Sequence, residues 1–175
     1  MSELLDKIKS RRSIRKFKSD AVPEDILDKI IEAGTYAATG MNKQSPIIVA
    51  VTNRETRDKL SRVNCKIGGW NEDFDPFYGA PAILIVLANK ECRTAVYDGS
   101  LTMGNLMLAA HNFGLGSCWI HRAKEEMASP EGKRLMKEWG IDPSYVGVGN
   151  VILGYPAETL PETKTPREDF ALLDD

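Results

Sequence analysis

The sequence predicts one domain of the mixed α/β or α+β class, in which helices cover a small central sheet. Its 175 residues are 42% hydrophobic and 27% charged, a composition that supports one substantial core and is too short for two. Apolar residues at helical spacing and continuous apolar runs predict the element order helix, helix, strand, helix, strand, helix, strand, helix, strand. No internal repeat interrupts this order. We therefore expect a single domain over residues 1–175.

The first third of the chain predicts two helices and a strand. Apolar side chains recur at helical spacing over residues 2–9. A stronger helix begins at Pro23, because proline suits the first helical turn and two acids follow it, and this helix is expected to end at 38–40. A polar, turn-prone stretch then leads into the β-branched run 47–51, which predicts a buried strand.

The middle of the chain predicts a short helix, a long loop and the central strand of the sheet. The helix covers 54–63, and the loop over 64–80 has no period and is rich in aromatic residues and glycine. Long loops in compact domains often act as lids or binding loops, but aromatic side chains also serve as core packing. Residues 82–88 are apolar throughout, which predicts a strand covered on both faces.

The last part of the chain predicts two helices, two strands and an extended arm. Apolar residues on more than one side of 98–113 indicate a deeply buried helix. A strand over 116–120, a helix over 129–139 and a strand over 147–153 follow. The tail 155–175 carries no helical stripe, so we expect a C-terminal arm that lies on another surface.

Charge and cysteine content narrow the classes of function. The net charge of -2 argues against nucleic acid as the main partner. No apolar run reaches the roughly 18 residues of a membrane span, so no membrane contact is expected. Cys65, Cys92 and Cys118 lack the spacing of a disulfide framework or metal site, which favours free thiols in the cytoplasm.

A basic segment is the strongest chemical signal. Residues 11–17, called the arginine segment below, contain Arg11, Arg12, Ser13 and Arg15. Guanidinium forks and a hydroxyl are donors that suit the oxygens of a phosphate group, which predicts a phosphorylated ligand. Because short basic clusters are common, a solvated basic run is the alternative.

Other possible motifs favour structural roles. Gly114-Leu115-Gly116 follows a helix and precedes a strand, the reverse of a dinucleotide-binding turn. Cys118 and His121 are three apart on a strand and so point to opposite faces, and Cys118 is expected to be buried. His111 is expected to be a core or interface histidine, and no metal site is predicted. With so little acid–base machinery, a cofactor is expected to carry any chemistry, and no side chain is assigned as catalytic.

Three segments in order resemble the FMN-dependent nitroreductase family. They are the arginine segment, Met41-Asn42-Lys43-Gln44-Ser45-Pro46, and Gly114-Leu115-Gly116-Ser117-Cys118-Trp119-Ile120, with the basic residues Lys164 and Arg167 near the end. Each motif alone is weak, but their order and spacing match the family over almost the whole chain.

The resemblance implies an α+β fold with a mostly antiparallel central sheet flanked by helices. It also implies an intertwined homodimer with an exchanged C-terminal arm and FMN at the interface. Residues matching cofactor-binding positions of the family lie in four groups. The arginine segment contributes Arg11, Arg12, Ser13 and Arg15, the polar loop Asn42 and Gln44, the third strand Trp119, Ile120, His121 and Arg122, and the tail Lys164 and Arg167. Gln44 is expected to come from the partner chain.

The implied function is an FMN-dependent NAD(P)H oxidoreductase. In this scheme NADH or NADPH gives a hydride to flavin N5 and leaves, and a nitro compound, quinone or similar small acceptor then binds, which predicts ping-pong kinetics. Three alternatives remain open: reductive dehalogenation, ene-type reduction, or a non-catalytic flavin-binding protein.

Overall fold

One antiparallel sheet of four strands forms the centre of the protein. The computed structural model describes residues 2–163, 165–167 and 170–171. Strands β1, β2, β3 and β4 stand in the spatial order β1-β2-β4-β3, and every neighbouring pair is antiparallel. Their bounds are Pro46–Val51, Ala82–Asn89, Gly116–Ile120 and Tyr145–Gly154. The α+β class and the mostly antiparallel sheet are therefore confirmed.

Six α-helices cover the sheet within the described part of the chain. Helices α1 to α6 span Glu3–Ser10, Glu24–Thr35, Arg54–Gly68, Ala95–Asn112, Ala123–Ala128 and Pro130–Glu138. A single 3-10 turn, Gly40–Asn42, precedes β1. None of these helices combines the length and the apolar character needed to cross a lipid bilayer.

Strand β2 separates two layers of the core. Leu84, Val86 and Ala88 pack toward α2 and α4 on one face, and the alternate residues Ile83 and Ile85 pack on the other. All but the last of its eight residues are buried. Such two-sided burial explains why this strand has no polar alternation, and its central position is confirmed.

Helix α3 is longer than the sequence indicates. It was expected to end at residue 63, but it continues to Gly68, and Gly69 ends it in the left-handed conformation at φ 67°. The last two turns bury Asn64 and Cys65. A polar residue at this buried position interrupts the apolar pattern expected of a helix. The sequence therefore placed the start of the aromatic loop too early. Helix α2 also ends earlier than expected, at Thr35.

The arginine segment is extended and is held on both sides by backbone hydrogen bonds. On one side, Ile14 donates to the carbonyl of Ser117 on β3 (3.0 Å). On the other, Lys18 donates to the carbonyl of Tyr155 (2.8 Å) and Ala157 to that of Lys16 (2.9 Å). Gly116 permits this approach, since a Cβ there would lie 2.8 Å from the Ile14 side chain.

Candidate functional site

Four predicted cofactor-binding residues line one cavity. Arg11, Arg12, Ser13 and Arg15 surround a space of about 740 Å³, called the arginine cavity below. The rest of its lining comes from α1 and the tail, through Lys9, Pro161, Glu162, Thr163 and Pro166. The fold therefore brings the arginine segment and the C-terminal tail to the same place, although 146 positions separate Arg15 from Pro161.

The guanidinium groups of this cavity have unused donors. Arg11 Nη1 and Arg12 Nη2 are buried and have no hydrogen-bond partner. Arg12 Nη1 donates to the carbonyls of Lys9 (2.7 Å) and Arg11 (2.6 Å), which fixes the direction of that side chain. Among the described residues, none of Arg11, Arg12 and Arg15 forms an ion pair with a carboxylate. Because buried unpaired donors are costly, this arrangement suits a bound oxyanion.

The backbone of the arginine segment is tied to the tail by a carboxylate. Glu158 Oε1 accepts hydrogen bonds from the N–H groups of Arg15 (2.7 Å) and Lys16 (3.1 Å). This carboxylate binds the backbone and leaves the Arg15 side chain exposed. The tail thus orients the segment without neutralising its guanidinium groups.

Three aromatic rings connect Arg15 with the end of β3. Tyr78, Phe74 and Trp70, called the aromatic row below, meet edge to face, with centroids 5.7 and 5.0 Å apart. The Arg15 guanidinium lies 6.0 Å from the Tyr78 ring centroid at one end, and that of Arg122 lies 4.4 Å from the Trp70 centroid at the other. The row therefore spans from the arginine cavity to Arg122.

The aromatic loop divides into core packing and exposed surface. Phe77 is fully buried among the core side chains beside β2, whereas Trp70 is 40% exposed. Phe77 thus packs in the core of a single chain, and Trp70 belongs to its surface. Asp75 fixes the loop by accepting hydrogen bonds from Arg57, Ser61 Oγ (2.6 Å) and the N–H of Phe77 (2.9 Å).

The end of β3 places four predicted residues in different environments. Trp119 is half-buried, Ile120 is buried, and His121 is exposed. Arg122 has φ 79° and begins α5 from this left-handed conformation, which is rare for a residue with a side chain. The chain therefore turns sharply between His121 and Arg122.

The polar loop before β1 lies apart from the arginine cavity. Asn42 and Gln44 line a second cavity of about 670 Å³, and Gln44 Nε2 donates to Asn42 Oδ1 (3.3 Å). The buried Asp98 carboxylate holds the loop by accepting from the Gly40 N–H (3.0 Å) and Ser45 Oγ (3.4 Å). The two cavities share no lining residue, so Asn42 and Gln44 do not line the arginine cavity of the same chain.

The remaining residues singled out in the sequence are the two tail cations, Cys118 and the two histidines. Lys164 lies outside the described residues. Arg167 follows Pro166, which lines the arginine cavity. Cys118 is 2% exposed and lies in the core, as expected, while His121 faces solvent. His111 Nε2 and Ser10 Oγ are 2.9 Å apart, in agreement with a hydrogen-bonded structural histidine.

A buried polar cluster behind the end of β3 was missed by the sequence analysis. It consists of Asn64 on α3, Glu126 on α5 and Asn150 on β4, all fully buried. The Glu126 carboxylate accepts from Asn64 Nδ2 and from Asn150 Nδ2 (2.8 Å). Burial raises the pKa of Glu126 to about 7, and the hydrogen bonds from Asn150 and Asn64 oppose that rise. Only Asn150, a polar residue within an apolar strand, gave a sequence signal.

Together the antiparallel sheet and the cavity define an α+β protein with a cationic pocket between its N-terminal segment and its tail. The chain belongs to the Nitroreductase family, whose model matches residues 8–66 and 70–155.

Individual relatives extend this finding. A crystal structure of a nitroreductase with bound FMN from Bacteroides fragilis has a TM-score of 0.89 and 28% identity, with 100% of each chain covered. A protein of Methanothermobacter thermautotrophicus, provisionally named an NADH dehydrogenase/NAD(P)H nitroreductase, is 31% identical over 162 residues, 89% of this chain and 78% of that protein. An iodotyrosine deiodinase of Thermotoga neapolitana is 24% identical and covers 97% of this chain and 96% of its own.

The raised pKa of Glu126 predicts a pH-dependent stability. Folding raises this pKa from 4.5 to about 7, so the folded protein binds the proton more tightly than the unfolded chain does. The contribution of Glu126 to the free energy of unfolding is therefore greatest below pH 4.5. It falls by on the order of 3 kcal/mol as the pH rises through about 7. Denaturant titrations of wild type and Glu126→Gln across this range measure the effect.

Glutamine cannot ionise, so the free energy of unfolding of Glu126→Gln, relative to wild type, is expected to increase with pH over that window and then level off. Glu125→Gln is the matched control: Glu125 is the exposed neighbour on the same helix and adds only a minor charge effect to the pKa of Glu126, so most of the wild-type slope should remain. A constant difference between Glu126→Gln and wild type at all pH values would contradict the assignment.

Proposed function

We propose that this protein is an FMN-dependent oxidoreductase that uses NADH or NADPH to reduce nitro compounds, quinones or similar small acceptors. The observation that carries the proposal is the pair of buried guanidinium nitrogens without partners, Arg11 Nη1 and Arg12 Nη2, beside a cavity of about 740 Å³. The similarity to a nitroreductase with bound FMN supports the identity of the ligand.

The residues of the arginine cavity fit the phosphate of FMN. Arg11, Arg12 and Arg15 supply charged donors, and Ser13 supplies a hydroxyl at the same wall. Lys164 and Arg167, which follow the tail residues of the cavity lining in sequence, are proposed as further phosphate contacts. Charge-assisted hydrogen bonds of this kind hold a dianionic group more tightly than a neutral site could.

The end of β3 and the aromatic row are proposed to face the flavin ring and the acceptor. Backbone donors of Ile120, His121 and Arg122 suit the polar edge of the ring, and Trp119 supports that strand end. When bound, FMN supplies the hydride chemistry, accepting from NAD(P)H and delivering to the acceptor. The exposed face of Trp70 offers a planar acceptor a stacking surface.

A homodimer is part of this proposal. No residue of α1 is buried, and Leu4, Leu5 and Ile8 of that helix are exposed. Exposed apolar side chains also occur on α4, including Tyr97 and Leu101. Such surfaces favour a protein partner, and a second copy would also bring its own Asn42 and Gln44 to the shared site.

A second candidate, reductive dehalogenation, is favoured by one observation: the full-length similarity to an iodotyrosine deiodinase. The acceptor would then be a halogenated aromatic compound, which would gain a hydride and release a halide ion. The same reduced protein can be offered both kinds of acceptor, so the rates of flavin reoxidation decide between them.

An anaerobic titration tests the proposed function. Protein incubated with FMN and then desalted is expected to be yellow, and NADH or NADPH is expected to bleach its visible absorption. A nitroaromatic compound or a quinone should then restore the colour. A colourless protein would contradict flavin binding, and a yellow protein that neither nucleotide bleaches would identify a flavin-holding protein without this activity.

The phosphate contacts predict the effect of two substitutions. Arg11→Ala and Arg15→Ala should each remove charge-assisted hydrogen bonds worth about 1.5 to 3 kcal/mol, which raises the Kd for FMN about tenfold or more. Arg54→Ala is the control, because the Arg54 side chain is 95% exposed on α3. Flavin fluorescence titrations of cofactor-free protein measure the three Kd values, and equal values would refute the phosphate assignment.

The apolar face of α1 predicts the outcome of an oligomer experiment. Wild type is expected to sediment with the mass of two chains, and Leu5→Glu combined with Ile8→Glu should shift it to the mass of one chain, because charges are costly in a buried interface. Asp6→Lys changes the charge of the same helix at an exposed position and should remain dimeric. A dimer that tolerates both glutamates would place the interface elsewhere.

A further inference from the structure

The buried polar cluster reaches the backbone of the β3–α5 turn through one amide group. Asn64 Nδ2 donates both to Glu126 and to the carbonyl oxygen of His121 (2.9 Å). The N–H of Glu126 donates to the carbonyl of Arg122 (2.9 Å). Both carbonyls that flank the Arg122 α-carbon are therefore fixed from inside the protein. These contacts explain how a residue with a side chain is held at φ 79°.

The first of these hydrogen bonds sets the direction of a backbone donor. The peptide bond between His121 and Arg122 is trans, as are all peptide bonds in the described chain. In a trans peptide the C=O and N–H groups point in opposite directions. Since the His121 carbonyl points toward the fully buried Asn64, the Arg122 N–H points away from the cluster. No described residue accepts a hydrogen bond from it.

We propose that Asn64, held in place by Glu126, is a positioning residue that aims the Arg122 N–H at the flavin ring. This inference rests on the proposed function, because the ring is the acceptor that the N–H requires. Asn64 itself touches neither flavin nor acceptor; it acts through the His121–Arg122 peptide. A hydrogen bond to the ring that strengthens as the ring gains electron density also makes reduction of the flavin easier.

Glu126 has a defined part in this arrangement. Asn64 could rotate its amide and present Oδ1 to the His121 carbonyl, which would leave two acceptors facing each other. The Glu126 carboxylate prevents this rotation because it requires the Nδ2 donor on its own side. Glu126 lies in α5, a few residues after His121. The carboxylate and the β3–α5 turn therefore stay close together.

The cluster contains its own matched control. Asn64 and Asn150 are both fully buried, and both donate to the Glu126 carboxylate. Only Asn64 contacts the His121 carbonyl. Asn64→Ala and Asn150→Ala therefore remove similar volume and one bond to the same carboxylate, but only the first releases the turn.

The experiment measures the Kd for FMN, the midpoint potential of the bound flavin and the thermal unfolding of both variants. Both are expected to lower Tm, and Asn64→Ala more so, because it also removes the hydrogen bond to the His121 carbonyl. Only Asn64→Ala is expected to raise the Kd, by about tenfold for one lost hydrogen bond to the ring, and to lower the midpoint potential. If Asn64→Ala does not fold, Asn64→Leu and Asn150→Leu give the same comparison with side chains of nearly the original volume.

Two outcomes would overturn the inference, and they differ. Wild type that binds FMN, together with variants at positions 64 and 150 that share the same Kd and midpoint potential, would show that Asn64 is only structural. Wild type that takes up no FMN would instead overturn the proposed function, and this inference would fall with it.

Discussion

The extended arginine segment, held between β3 and the tail, is the constraint on which the rest of the site depends. Its N–H and C=O groups bond to Ser117 on one side and to Tyr155 and Ala157 on the other. An extended chain with both edges engaged projects alternate side chains in opposite directions. Ile14 therefore enters the core, fully buried, while Ser13 and Arg15 line the cavity. Among the described residues, the three guanidinium groups of this cavity form no ion pair, although Glu162 lines the same cavity.

The protein handles its buried charges in two different ways. The guanidinium groups of Arg11 and Arg12 retain unpaired donors, which is costly unless an anion joins them. Glu126 forms no ion pair among the described residues, and two asparagine amides donate hydrogen bonds to its carboxylate instead. The first arrangement gives a ligand its binding energy. The second holds a carboxylate in the core, where it accepts a hydrogen bond from the asparagine that also contacts the turn after β3.

Sequence reasoning succeeded where one periodicity dominated. The apolar run of β2 predicted a central strand because both faces of that strand meet core side chains. It was less successful where polar residues are buried. Asn64 made the end of α3 look like a loop, and helix α5 with its buried Glu126 was not predicted, because their burial depends on contacts far apart in sequence. The separation of Asn42 from the arginine cavity was not predicted either, because it depends on how segments far apart in sequence pack together.

In the proposed homodimer, helix α1 would make the arginine cavity depend on protein concentration. An isolated helix of eight residues is unstable in water, and α1 buries none of its own residues within one chain. In the proposed homodimer, association would therefore add to its stability by mass action. Lys9 of this helix lines the arginine cavity, and its carbonyl oxygen orients Arg12. If the proposed homodimer forms, dilution that separates its subunits would loosen this wall of the arginine cavity and weaken binding of the proposed cofactor, although every other contact stays chemically intact.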